Sequence, residues 1–176
     1  VVELSDAQLA RQAFDQVCDD LPSGFIDRDV IFHHWFAEFE TGSAHPGHGL
    51  IPLLPRLEAW PSPTSLFICD QLWSRERRTA TLPHLFFRTV MSHAQRLGRL
   101  QREARTSATF PFAQYLATPA SHPTHRAFDG VVLRVADPWW IDHTPPIGWG
   151  CVCGRRVLNA RMIAREDLKV WLGPPL

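Results

Sequence analysis

The order of apolar patterns along the chain predicts an α+β fold. Helical spacing fills the stretches flanking a proline-rich middle, three short strand-like runs follow residue 109, and one more helical pattern closes the chain. The expected arrangement is N-terminal helices and one long amphipathic helix packed on a small antiparallel sheet, with a C-terminal helix. At 176 residues, 45% of them aliphatic, aromatic or cysteine, the chain is long enough to bury a core.

Ser5 reads as an N-cap, and Leu9, Ala13, Phe14 and Val17 then recur at helical spacing until Leu21-Pro22-Ser23-Gly24 ends the pattern. A second helix is expected from Asp27 or Asp29 to Glu40, stopped by Thr41-Gly42, with Phe32, Trp35, Phe36 and Phe39 as core and His33 and His34 among them. Prolines and glycines crowd residues 42–63, which read as loop. A short helix is expected over 66–75, followed by a basic knot of Arg75, Arg77 and Arg78. The longest helix is expected over 82–105. Thr81 can cap it, Pro83 is tolerated in its first turn, and Phe86, Val90, His93, Leu97, Leu100 and Ala104 form one stripe.

Residues 110–116, 131–135 and 150–157 read as strands, the last placing Cys151 and Cys153 on one face because side chains alternate. Asn159 caps a final helix expected to run to Leu172.

No run approaches the ~20 apolar residues that span a bilayer, and no charged-then-apolar leader opens the sequence. The chain begins Val1-Val2-Glu3 without an initiator Met, which predicts excision from a longer polypeptide, with Leu176 as the natural end. Net charge is zero but divided. Residues 1–80 hold 12 acidic and 6 basic side chains, and residues 81–176 hold 6 and 12. The division predicts an acidic, mainly helical part at 1–80 and a basic α+β part at 81–176. A basic half attracts polyanions; two oppositely charged lobes attract each other equally well. Cys18, Cys69, Cys151 and Cys153 form no secreted disulfide framework, so a reducing compartment is expected.

Two clusters carry chemistry. Ser121-His122-Pro123-Thr124-His125-Arg126 gathers transferable protons beside a cation, the set that metal-independent RNA cleavage needs. His125 is the expected centre, with His122 or His143 as acid–base partner, Thr124 between them and Arg126 on the phosphate. No Asp/Glu cluster suited to magnesium lies nearby, so no cofactor is favoured. Were zinc present, Cys151, Cys153, His125 and His143 would supply the donors; otherwise both thiols are small buried groups. Arg88, Arg99, Arg134 and Trp149 are candidates for RNA contact, with core packing the competing role for the tryptophan.

The last third orders these residues as His125-Arg-Ala-Phe-Asp-Gly130, then Asp137-Pro-Trp-Trp140, then Pro145-Pro-Ile-Gly-Trp-Gly-Cys-Val-Cys153. This pattern resembles the C-terminal signature of the phage Mu F-like head-morphogenesis family, and the run 85–90 with Gly98-Arg99 is similar to that family's long helix. The resemblance covers about residues 82–165. Where phage members carry an Asp and an Arg before the motif His, this chain reads Thr118 to Ala120, and it gains His122. Two functions are implied. The first is the C-terminal tip of a polymorphic or contact-dependent growth-inhibition toxin, a ribonuclease with tRNA as target. Such an effector is exported, works in the target-cell cytoplasm, and is neutralised by an acidic immunity protein. The second is a minor head protein without catalysis, located in the virion and contacting portal, capsid or DNA. The altered polar residues beside His125 and the basic half lean the sequence reading toward the effector.

Overall fold

A computed structural model describes residues 3–19, 21, 26–41, 82–171 and 173, and of 82–85 the backbone alone. The expected loop over 42–63, the helix over 66–75, the basic knot, the Pro22–Gly24 stop and the Thr81 cap lie outside the described residues. The chain divides into two compact units, Val1–Gly98 and Arg99–Leu176.

In the first unit, α1 (Asp6–Cys18) begins with a reciprocal capping box. The Gln8 amide donates to the Ser5 hydroxyl at 3.3 Å, and the Ser5 amide donates to the Gln8 side chain at 2.9 Å. Leu9, Ala10, Ala13, Phe14, Val17 and Cys18 form its buried face. Helix α2 (Arg28–Thr41) starts where the Val30 amide donates to the Asp27 carboxylate at 3.1 Å. Ile31 and Trp35, four residues apart, face inward. His33 and His34 therefore point the other way and are exposed, correcting their expected place among the core aromatics. Phe14 meets the edges of Phe32 and Phe86, and the Trp35 indole donates to the Phe87 carbonyl at 3.3 Å.

Helix α3 (Leu82–Thr106) runs from the first unit into the second. Phe86 and Val90 are fully buried, as their stripe predicts. Toward the C-terminus the stripe rotates: Ala104 is exposed and Glu103 is buried. At that position the Glu103 carboxylate lies 3.4 Å from the Arg155 guanidinium and 3.8 Å from that of Arg99, a buried charged cluster where the stripe places an apolar neighbour.

The second unit is built on a three-stranded antiparallel sheet, with β1 (Phe112–Leu116) between β2 (Val132–Arg134) and β3 (Gly154–Leu158). The α+β class is as the sequence predicts. Ala113 pairs with Leu133 on one side and Val157 on the other; Tyr115 pairs with Arg155. Ala113, Tyr115, Val131, Leu133 and Trp140 make the core of this unit, with Phe128, Trp139, Ile147 and Cys153 packed against it. Two short helices that apolar periodicity did not reveal, α4 (Pro123–Arg126) and α5 (Trp140–His143), lie in the connections.

Helix α6 (Ala160–Arg165) is capped by Asn159, whose side chain accepts from the Met162 amide at 2.9 Å. It ends at Arg165, seven residues short of expectation. Asp167 takes a left-handed φ of 50°, which halts the helix, and the chain returns to β2. There Val170 bridges Val132 in parallel and the Trp171 amide donates to the Val132 carbonyl at 2.9 Å. Among the described residues, no helix is long and apolar enough to cross a membrane.

Candidate functional site

The connection from β1 to β2 is fixed by local hydrogen bonds before any side chain is asked to do chemistry. The Ala117 amide donates to the Asp129 carboxylate at 2.8 Å, and the Thr118 amide donates to the Ser121 hydroxyl at 2.9 Å. Gly130, at φ 78°, supplies the left-handed turn, and its amide donates to the Tyr115 carbonyl at 3.0 Å. Between these ties sits α4. Pro123 opens it, and His122 caps it by accepting at Nδ1 from the Thr124 amide at 3.3 Å. The Thr124 hydroxyl closes on the same nitrogen at 2.7 Å. With Nδ1 accepting, the proton of neutral His122 resides on Nε2.

His125 projects from α4 toward the approach to β3. Its Nδ1 lies 3.7 Å from the Cys151 sulfur. A tight turn, in which the Cys151 amide donates to the Gly148 carbonyl at 3.2 Å and Gly150 adopts φ 65°, brings the Cys-x-Cys segment back onto the loop. The ligand atoms of His125, Cys151 and Cys153 all lie within 4.8 Å of one another. Both cysteines precede β3 instead of lying inside it, a correction to the strand expected over 150–157. The turn that precedes them carries both toward His125. The Cys153 sulfur lies 3.2 Å from the Ser121 hydroxyl, which is 1% exposed.

The electrostatics of this cluster concern one proton between two thiols. The Cys151 thiol donates to Cys153, and with further hydrogen bonds from His125, Ser121 and Tyr115 this lowers the Cys153 thiol despite its burial. The same hydrogen bond, together with burial, pushes Cys151 up. Burial also pushes the Tyr115 phenol up. Its hydroxyl is enclosed and turned toward Cys153, and among the described residues it has no other hydrogen-bond partner.

The other expected site residues fall elsewhere. The His122 and His125 rings are 5.5 Å apart, so the loop does bring these two together, and Arg126 beside them is exposed. His143 does not join them. Its Nδ1–H donates to the Trp139 carbonyl at 2.8 Å, and its ring stacks on Trp139 at 4.2 Å and 6° while Phe128 meets it edge-on. A ring so held stands outside the His125–Cys151–Cys153 group, correcting the four-donor set. Trp149 is 1% exposed and offers no face to a base, which corrects its place among RNA contacts. Arg99 is also committed, donating to the Pro145 carbonyl at 2.7 Å and pairing with Glu103. Arg134 is exposed above the Phe112 ring, and Arg88 is exposed on α3 in the other unit. Ser121 and Tyr115 were not singled out from sequence. Ser121 opens the histidine-rich segment and Tyr115 is the chain's one tyrosine, the only signals that pointed to them.

With this geometry in place, likeness to known proteins is informative. A 99-residue stretch, 55% of this chain, is 32% identical to "Putative capsid assembly protein F" of Escherichia phage Mu. The likeness is to a phage Mu F protein. The chain spans 22% of that protein's length. No protein-family model matches the chain, and no solved structure matches it.

Proposed function

We propose that this chain is a Mu F-like head-assembly domain, acting through contacts with portal or capsid proteins in a phage head and not through catalysis. One observation carries the reading: 32% identity over 99 residues to a capsid assembly protein. The geometry supports it. Of the residues read as a ribonuclease set, His125 faces Cys151, His122 and Thr124 are engaged with each other in a helix cap, and His143 is stacked on Trp139. The likeness is to a capsid protein and not to a toxin, so head assembly takes precedence over the effector reading.

The test is co-expression of the chain with the portal and major capsid proteins of a phage that carries its coding sequence, followed by affinity purification and sedimentation. Association with portal or with assembled heads supports the proposal. Cleavage of tRNA or rRNA by the purified chain, lost in His125→Ala, would replace it with the effector.

A further inference from the structure

We propose that His125, Cys151 and Cys153 form a tetrahedral zinc site, with a solvent oxygen at the fourth position and Ser121 and Tyr115 donating hydrogen bonds to its sulfurs. The inference is independent of the head-assembly reading and stands or falls on separate measurements.

Distance is the first argument. Zinc bonds of about 2.3 Å to sulfur and 2.05 Å to nitrogen, at tetrahedral angles, separate the two donors by about 3.6 Å. The Cys151 sulfur and the His125 Nδ1 are 3.7 Å apart. Two sulfurs on one zinc lie about 3.8 Å apart by the same construction. The three donor atoms are already confined within 4.8 Å of one another, so binding requires each edge to close by no more than about 1.2 Å. They come from two segments 26 residues apart in sequence, both held by backbone hydrogen bonds that do not involve the donors themselves.

Donor type is the second argument. Two cysteine sulfurs and an imidazole nitrogen are the donors zinc prefers, and on binding the remaining thiol protons leave to solvent as the metal takes both sulfurs.

The third argument is the surrounding donors. The Ser121 hydroxyl accepts from the Thr118 amide and, in this structure, from the Cys153 thiol at 3.2 Å; once that thiol has given its proton up to a metal, the same contact turns round and the hydroxyl donates to the sulfur. The Tyr115 hydroxyl, enclosed and with no other partner among the described residues, faces Cys153 and meets a permanent acceptor once Cys153 is a metal-bound thiolate. Outer donors of this kind orient ligands and raise affinity. Three protein donors leave one position of the tetrahedron to solvent.

The test is metal analysis of the 176-residue chain expressed in zinc-supplemented medium and purified without chelator. About one zinc per chain is expected. Cobalt substitution of the wild-type protein should give intense visible bands of tetrahedral geometry and a sulfur-to-cobalt charge-transfer band in the near ultraviolet. Zinc content should fall to background in His125→Ala and Cys153→Ser, yet persist in His143→Gln. Tyr115→Phe should keep the metal with roughly tenfold weaker affinity. Because some variants can fail to fold, the cobalt spectrum of the wild type decides independently. A natively folded, metal-free protein with two titratable thiols and no charge-transfer band would overturn the proposal, as would loss of zinc in a folded His143→Gln.

Discussion

The Asp129 carboxylate accepts the Ala117 amide at 2.8 Å, and this contact ties the end of β1 to the turn that precedes β2. Everything that places His125 lies between those two residues. Asp129→Ala is expected to cost about 1–2 kcal/mol, the usual range for a hydrogen bond to a charged acceptor in a partly exposed setting. Asp129→Asn, which keeps an acceptor, should lose less. Urea denaturation of the two variants checks the order, and equal stability for Asp129→Ala and the parent would show the tie to be dispensable.

Gly130 occupies a left-handed conformation at φ 78°, and a Cβ there would meet nothing within 4 Å. The cost of Gly130→Ala is therefore backbone strain alone, about 1 kcal/mol. Gly130→Asn should recover part of it, since Asn tolerates this region. A clash would make the larger Asn worse than Ala, so the order of the two melting temperatures separates strain from crowding.

Arg155 is the polar centre of the second unit. Its guanidinium sits 4.2 Å from the centroid of the Trp140 ring, 3.4 Å from the Glu103 carboxylate and 3.2 Å from the Thr144 hydroxyl. Burial raises the Glu103 carboxyl, opposed by Arg155 first and Arg99 second. Removing Arg155 leaves that carboxylate enclosed with poorer compensation, so Arg155→Ala should destabilise by about 3–5 kcal/mol. The double change Arg155→Met with Glu103→Leu should return most of the loss, because it deletes both charges together. A double variant no more stable than Arg155→Ala would mean that packing on Trp140 matters more than the ion pair.

His93 gives the first unit a pH response. Burial lowers it from 6.5 to about 4, with Arg96 adding to the shift, and among the described residues neither ring nitrogen has a hydrogen-bond partner. The folded state holds the ring neutral, whereas the unfolded chain takes up a proton below about 6.5. The contribution is thus fully present above 6.5 and is lost as pH falls toward 4. The slope is on the order of 1 kcal/mol per pH unit within that window. His93→Leu should flatten stability between these limits. An unchanged slope in this variant would assign the acid response to other groups.

Much of this structure was legible in the sequence where the signal was local. The Ser5 cap, the Asn159 cap and the buried Phe86 and Val90 each follow from residues within a turn or two. The failures share one cause, which is long-range competition. Helical phase alone assigns Ala104 inward, but Arg155, 52 positions later, draws in Glu103 instead. Periodicity extends α6 to Leu172, but the free edge of β2 captures Val170 and Trp171 after Asp167 breaks the helix. His143 reads from sequence as a titrating partner, yet its ring stacks on Trp139 and Phe128 meets it edge-on. His125, Cys151 and Cys153 were recognised as residue types, while the turn that unites them depends on Gly150 and could not be read from alternation.

Head assembly is tested most directly by electron microscopy of particles from an induced lysogen whose copy of this coding sequence carries a deletion of residues 99–176. Malformed heads or a loss of filled heads, restored by the intact sequence supplied in trans, is the expected result. Normal heads at normal titre from the deletion strain would contradict the assignment.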